Sequence, residues 1–417
     1  MMRKKRTGIG KKRGAGELLP YGGRNPPRRI WCFAVLLLTL LLLSEFAAFA
    51  ADDGTEAQTG VLEEAGLSLP SEYGEVVQGL PDEVKELLPE GTDGSDADLT
   101  AKAVERMSEP GYWKELLVRV TGVELGEALR LFARLCALLA LSSVFAAVRS
   151  SFGSDSLSKA IGFCSTGAIF AAILHIEYRQ LEAVSLFFER LNSLMLGMIP
   201  VTGTLWAMGG NVNTAAMSGS TLYVFLTVSE QLCARLVIPV CGILTALALC
   251  NSLSPEVGLR SLGNAIRKVY TFFLGLVMTL LLALLSSQNT LCAAADSTGA
   301  RTAKLVSSTI IPTVGGSVGE TLRTVASGVQ YLKSVVGISG IFFILLLLLP
   351  TLISLLLTRL AFLLGSGVAE ILGCEGEGKL LGELGSVYGC MTSVVAMTSV
   401  MFILALNLFV RTATALM

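Results

Sequence analysis

The chain has 417 residues, of which 52% are hydrophobic and 16% charged, and its formal net charge is −1. Soluble domains carry roughly 25% charged residues, so this composition indicates an integral membrane protein. A single histidine and nine cysteines without a C-x-x-C pair disfavour His-rich metal sites, histidine-base enzymes and redox motifs, and we read the cysteines as reduced and buried.

The first 50 residues have the order of a secretory signal sequence. A basic region at residues 3–29 precedes an apolar stretch at residues 30–43, and Ala-Phe-Ala-Ala follows at residues 48–51. The apolar stretch is shorter than the roughly 20 residues of a spanning helix, so we predict cleavage after Ala50. An uncleaved anchor is the alternative, and in both cases the chain that follows is exported.

Residues 51–110 form an acidic segment. Positions 52–110 contain 16 Asp and Glu against three Lys and Arg. Such a composition buries little surface, so we predict a largely disordered exported segment. Apolar residues at near-helical spacing within residues 73–88 predict one or two short amphipathic helices there. The segment is either an exposed tether or a docking site for a partner outside the cytoplasm.

The remainder of the chain is a series of apolar stretches, and residues 111–150 combine an amphipathic helix with the first of them. A seventh stretch, at residues 215–228, is interrupted by Gly219, so crossing, re-entering and lying flat are all open. The fold class is therefore an all-α polytopic membrane protein with six, or as many as seven or eight, transmembrane helices. The six stretches long enough to cross are residues 131–148, 161–176, 236–253, 269–285, 341–357 and 387–409.

The charges between these stretches predict an orientation. If the acidic segment is outside, Arg149 and Lys159 lie on the cytoplasmic side, as the positive-inside rule requires. The basic loop at residues 251–268 is cytoplasmic only if residues 215–228 do not cross. We therefore prefer six crossings with the C-terminus outside, although the acidic loop at residues 364–386 argues weakly against it.

The chain also matches itself at an offset of about 110 residues. Met-Ile-Pro-Val-Thr-Gly at residues 198–203 matches Ile-Ile-Pro-Thr-Val-Gly at residues 310–315, and Pro239 matches Pro350. We predict an internal duplication with parallel repeats at residues 160–286 and 287–417. Chance matching of Gly-rich apolar sequence is the alternative.

The repeated Ile-Pro-Gly segments are the best candidates for a functional lining. Pro and Gly in a membrane helix free backbone groups that lipid cannot satisfy, so these turns should be buried in protein or line water. Charged residues near bilayer depth usually face a cavity, although they also snorkel from helix ends. His175 and Glu177 close the second stretch, where we expect the outer interface. The candidates are Pro200, Gly203, Pro312, Gly315, Gly316, Lys333, Gly337, Glu230, Arg235 and Arg359.

No sequence signature of an enzyme is present. The chain has no P-loop, no H-E-x-x-H and no G-x-G-x-x-G after a strand, so any nucleotide-driven work would need a separate ATPase. We expect no catalytic residue, no cofactor and no metal. The basic leader suits export better than nucleic-acid binding.

Four short motifs carry a resemblance to a known family. They are Asp296-Ser297-Thr298, Arg301-Thr302-Ala303-Lys304, the Ile-Pro-Thr-Val-Gly-Gly of residues 311–316, and Leu332-Lys333-Ser334-Val335-Val336-Gly337. Together with the order of signal, polar segment and membrane region, they make the chain resemble the stage III sporulation protein AE family of endospore-forming bacteria. The resemblance covers roughly residues 113–417, and the long basic leader departs from it.

The resemblance implies a subunit of a secretion-like channel complex, with no catalytic residues to carry over. The complex would lie in the mother-cell membrane around the forespore, with the acidic segment facing the intermembrane space. Its partners would be other stage III sporulation membrane proteins, a separate secretion-type ATPase and a forespore-side protein, and it would be needed for late forespore gene expression. The alternative is a solute transporter with its substrate site at the two Ile-Pro-Gly segments. The spans have almost no carboxylates, Glu230 being the nearest, so the channel subunit is preferred.

Overall fold

The apolar stretches fold as helices in a computed structural model, which describes residues 67–89, 92, 96–151, 155–253, 259–310 and 315–411. The predicted signal sequence lies outside these residues. No strand occurs in the part of the chain that is described, in agreement with the predicted all-α class. The elements are α1 Ser71–Gln78, α2 Asp82–Lys85, α3 Ala97–Ser108, α4 Pro110–Ser151, α5 Asp155–Met208, α6 Val212–Glu230, a π-helical turn Gln231–Arg235, α7 Leu236–Leu253, α8 Leu259–Ile310, α9 Gly315–Ile371 and α10 Glu375–Arg411.

Local chemistry explains several helix ends. Asp96 caps α3 by accepting a hydrogen bond from the backbone N–H of Asp98 at 2.9 Å. Pro110 begins α4, at the position where its missing N–H would have no helical partner. Gly210 and Gly373 follow α5 and α9 with φ of 77° and 73°, a left-handed conformation that glycine adopts without strain.

Among the residues that the structure describes, six helical stretches are long and apolar enough to cross a membrane, in agreement with the predicted six crossings. A hydrocarbon layer about 30 Å thick needs about 20 helical residues. The 57 residues of α9 would extend about 85 Å at 1.5 Å per residue, so this helix must continue well beyond the lipid. The six stretches are Pro110–Phe145, Gly162–Met208, Val212–Leu253, Leu259–Thr298, Arg323–Ile371 and Glu375–Phe409.

Residues 215–228 do not make a seventh crossing. They belong to α6, which the π turn joins to α7 in one continuous rod, Val212–Leu253. The Tyr270 hydroxyl of α8 donates to the Leu232 carbonyl within this turn at 3.2 Å. The predicted acidic loop at residues 364–386 is also mostly helical, because α9 continues to Ile371 and α10 begins at Glu375.

The turn predicted at residues 199–203 is not present. These residues are helical, and α5 passes through Pro200 without ending until Met208. A proline removes one helical hydrogen bond, but its ring lies on the exposed side of α5. Met198 and Val201 are fully buried on the other side, and their packing favours the continuous helix.

The long helices alternate in direction. Two contacts between each pair of neighbouring helices fix their relative direction. By these contacts the α6–α7 rod is antiparallel to both α5 and α8. Helices α5 and α8 are therefore parallel to each other, which is the arrangement that a parallel duplication requires, and the duplication itself stays a prediction. The contacts are Thr214 with Asp296 and Leu232 with Tyr270 for α8, and Glu230 with Asn192 and Gly219 with Ile199 for α5.

The α9–α10 hairpin lies at the centre of the bundle. Helix α9 packs against α4, α5 and α10, and α10 also packs against α5, α7 and α8. Every residue of α9 from 341 to 348 is buried. Phe343, Phe362 and Tyr388 are completely buried along the hairpin, so side chains fill the centre of this bundle.

More of the acidic segment is folded than the sequence predicted. Helices α1 and α2 fall on the expected amphipathic residues, and α3 follows them. Tyr73 of α1 is completely buried and donates a hydrogen bond to Ser339 of α9 at 2.8 Å. Val76 packs against Gly197 of α5. The few apolar residues of this segment are enough to dock it because the bundle supplies the rest of the buried surface.

Candidate functional site

The bundle buries one carboxylate between three helices. Glu177 of α5 is 2% exposed and faces the hydroxyls of Thr245 on α7 and Tyr388 on α10. Neither carboxylate oxygen of Glu177, nor either hydroxyl oxygen, is in direct hydrogen-bonding geometry with a described residue. Buried polar atoms are almost always bonded, because an unbonded one loses its water without compensation. These four oxygen atoms therefore form the candidate functional site.

The position of Glu177 follows from the buried stripe of α5. Ile173 lies four residues before it and Val184 seven residues after it, and both are completely buried. Residues at such spacing share one face of a helix. The apolar stretch that ends near Glu177 predicted an interfacial position for this residue, but α5 continues far beyond it. The signal that could have located it is a carboxylate within an apolar stripe.

Arg359 approaches the same region from α9. Its guanidinium lies against Gly389, the residue after Tyr388, and a Cβ atom at position 389 would be 3.1 Å from the Arg359 Cζ. Arg359 is half-buried, so this candidate lies between α9 and α10 and not at a helix end. The missing side chain of Gly389 is what lets the guanidinium reach α10.

Two further carboxylates of α10 join helices by ordinary polar contacts. Glu383 pairs with Arg260 of α8 at 2.9 Å and lies 3.9 Å from Arg267. Glu377 accepts hydrogen bonds from Ser142 of α4 at 2.7 Å and from Ser165 of α5 at 2.6 Å. These carboxylates have partners, and Glu177 contrasts with them.

Asp296, from the first family motif, holds the start of α6. Its carboxylate accepts hydrogen bonds from the backbone N–H groups of Asn213 and Thr214, both at 2.9 Å, and from the Thr214 hydroxyl at 2.7 Å. The first N–H groups of a helix lack helical partners and carry a partial positive charge. A carboxylate from α8 therefore caps α6 across the helix interface.

The other charged candidates lie in separate places. Glu230 is half-buried and accepts a hydrogen bond from Asn192 at 3.1 Å, whereas Arg235 is exposed in the π turn. Lys333 is completely buried, with its ammonium 5.8 Å from the centre of the Phe409 ring. Such a distance suits a cation–π interaction. Gly337 is buried one turn further along α9.

The first Ile-Pro-Gly segment does not line the interior of the bundle. Pro200 is exposed on α5, and Gly203 has open space at its Cα. Pro312 lies outside the described residues. Gly315 and Gly316 belong to the first turn of α9. The predicted residues that the structure describes therefore occupy several different interfaces and do not form one site.

A cleft of about 100 Å³ opens between α4, α5 and α9, next to the candidate site. Ile176 and Gln180 of its lining flank Glu177 on α5, and its rim carries an ion pair of Arg179 and Glu127 at 3.1 Å. The described residues contain no group of three or more His, Cys, Asp or Glu that could hold a metal ion. One carboxylate with two hydroxyls can instead accept a proton or coordinate a small cation.

Comparisons with known proteins relate the chain to one family. A family model described as stage III sporulation protein AE matches residues 100–413. Stage III sporulation protein AE of Bacillus subtilis (strain 168) is 22% identical over 385 residues, which cover 90% of this chain and 96% of that protein. No solved structure matches the chain significantly.

Proposed function

The chain belongs to the stage III sporulation protein AE family, and from this membership we propose that it is a non-enzymatic subunit of a secretion-like channel complex between mother cell and forespore. Membership supports a role in sporulation, and the six apolar helices indicate a multi-pass membrane protein. The proposed location is the mother-cell membrane around the forespore, with the acidic segment facing the intermembrane space.

The filled centre of the bundle is the observation that favours a subunit over a stand-alone transporter. The α9–α10 hairpin occupies the position where a path through one chain would run, and its side chains are buried there. A conduit built from this protein would therefore lie between chains, which requires a complex. The proposed partners are other stage III sporulation membrane proteins, a secretion-type ATPase and a forespore-side protein.

The docked α1–α3 region supports the same proposal. It packs on α5 and α9, and each of these helices is longer than one bilayer thickness, so both can carry a folded layer next to the membrane. Its surface is acidic, with Glu72, Glu75, Asp82 and Glu86 in or beside α1 and α2. Such a layer offers a surface for a partner protein in the intermembrane space.

One observation favours the alternative, a cation-coupled solute transporter. The scarcity of carboxylates within the predicted spans disfavours a transporter. The structure buries one carboxylate, Glu177, inside the bundle, which weakens that objection. The substrate site that the alternative placed at Pro200 loses its support, because that segment is an exposed part of a continuous helix.

Deletion of the gene in its endospore-forming host tests the proposal. We expect normal vegetative growth, arrest after engulfment, and no signal from a reporter of late forespore transcription. Complementation with the intact gene is the control. Normal spores would refute the proposal, and a growth defect tied to one nutrient would favour the transporter.

A further inference from the structure

Glu177 is a buried carboxylate without an ion-pair partner among the described residues. Moving an ionised carboxylate into a protein interior is very costly unless an opposite charge accompanies it. None of the ion pairs in the described part of the chain includes Glu177. A proton or a small cation on this carboxylate would remove that cost, since only a small species fits a buried site between helices.

The surrounding oxygens define the chemistry of that species. Thr245 and Tyr388 bring hydroxyls within interaction range of the carboxylate from two other helices. None of these oxygens reaches the distance and angle of an ordinary hydrogen bond with a described residue. A small cation held among them would satisfy all of them together. We propose that Glu177, Thr245 and Tyr388 form a binding site for one small monovalent cation, either a proton or Na⁺.

A proton and a Na⁺ ion would both neutralise the Glu177 carboxylate, but through different contacts. A proton on the carboxyl group makes it neutral and turns one oxygen into a donor for a neighbouring hydroxyl. A Na⁺ ion would be coordinated directly by carboxylate and hydroxyl oxygens. In each case the occupied site links α5, α7 and α10 through a neutral cluster, and the empty site leaves a buried negative charge.

A polar cleft between α4, α5 and α9 lies beside this site, and Glu177 itself is not part of its lining. Ile176 and Gln180 line the cleft and flank Glu177 on α5. Gln180 also donates a hydrogen bond to Ser354 of α9 at 3.4 Å, and both residues belong to the cleft lining. The same lining holds Glu124 and Glu127 together with Arg130, Arg134 and Arg179, so the cleft is polar but not acidic.

None of the other titratable and charged groups near Glu177 forms an ion pair with it. They are Tyr388 and Cys390 on α10, Cys241 on α7, Arg267 on α8, Arg359 on α9 and Arg179 on α5 itself. Arg179 forms its ion pair with Glu127 in the cleft, and Arg267 lies beside Glu383. The inference holds whether the complete protein acts as a channel subunit or as a transporter.

Binding of radioactive Na⁺ to the purified full chain in lipid nanodiscs tests the first cation. If Na⁺ occupies the site, we expect one saturable equivalent per chain that Glu177→Gln abolishes. Thr245→Val should weaken the affinity at least about tenfold, because it removes a hydroxyl that contacts the ion. Glu189→Gln, at an exposed position of the same helix, is the control and should bind like the wild type.

Infrared spectroscopy of the same samples without Na⁺ tests the proton. If a proton occupies the site, a carbonyl band of a protonated carboxyl group persists at neutral pH, disappears in Glu177→Gln and remains in Glu189→Gln. Tyr388→Phe should shift that band, and this variant, with Thr245→Val, carries the test if Glu177→Gln does not fold. An ionised Glu177 at neutral pH without saturable Na⁺ binding would overturn the proposal.

Discussion

Replacement of Asp296 by alanine should release the first turn of α6 from α8. The carboxylate accepts three hydrogen bonds, two from the backbone N–H groups of Asn213 and Thr214 and one from the Thr214 hydroxyl. A hydrogen bond to a charged acceptor contributes about 1.5–3 kcal/mol, and a lost helix cap costs about 0.5–2 kcal/mol. Val212 and Asn213 are exposed, so water replaces part of the loss. We expect a local cost of about 2–4 kcal/mol.

Hydrogen exchange measures this cost where it occurs. Because each 1.36 kcal/mol is a factor of ten, the amides of Asn213 and Thr214 should exchange about 30 to 900 times faster in Asp296→Ala. Asp296→Asn keeps an acceptor oxygen, so the exchange rates of these two amides in this variant should lie between those of the wild type and of Asp296→Ala. Ser297→Ala is the matched control, since that hydroxyl bonds only the Ala294 carbonyl of its own helix. Acceleration of less than about threefold in Asp296→Ala would refute the capping role.

Three further predictions concern packing, docking and orientation. Gly389→Leu should displace Arg359 and lower the thermal stability of the protein in detergent, whereas Gly203→Leu, which meets open space, should not; equal stability of the two would contradict the packing. Tyr73→Phe should destabilise α1 docking by about 1 kcal/mol, seen as faster proteolysis of the N-terminal helices. Burial raises the pKa of the Tyr73 hydroxyl well above its usual 10. The contribution of Tyr73 to stability is therefore complete below pH 10 and falls as the pH rises above 10. The stability of Tyr73→Phe should not show this decrease. A cysteine introduced within residues 254–258 should react with a thiol reagent only from the cytoplasmic side. Labelling by a reagent applied from outside would show that the predicted orientation is wrong.

Hydropathy predicted the number of crossing helices because a long apolar run is a strong signal. It did not predict their lengths. The predicted crossing ended at residue 176, yet α5 continues to Met208 because a stripe of buried residues, including Val184 and Leu191, keeps one face packed. Tertiary packing of one face sustains a helix that average hydropathy would end.

Local rules also failed at Pro200 and at Glu177. A proline reads as a break, but packing of Met198 and Val201 outweighs the loss of one hydrogen bond. Glu177 reads as an interfacial residue because average hydropathy falls there, although its spacing from Ile173 places it on the buried face. The residues around position 296 pointed to the family, which the comparisons confirm. They did not reveal that Asp296 caps a neighbouring helix, since that contact depends on a fold the sequence pattern does not specify.

The π turn at Gln231–Arg235 determines which way the start of α6 faces. A π turn holds one more residue than the α-helical turn it replaces, and each residue rotates a helix by about 100°. Without this widening, α6 would be turned by about 100° relative to α7, and Thr214 would point away from Asp296. Deletion of one residue within this turn would therefore leave an ordinary α-helical turn and keep the alignment of α6 with α7. Deletion of one residue elsewhere between Thr214 and Leu232 would instead turn the start of α6 by about 100° and separate Thr214 from Asp296.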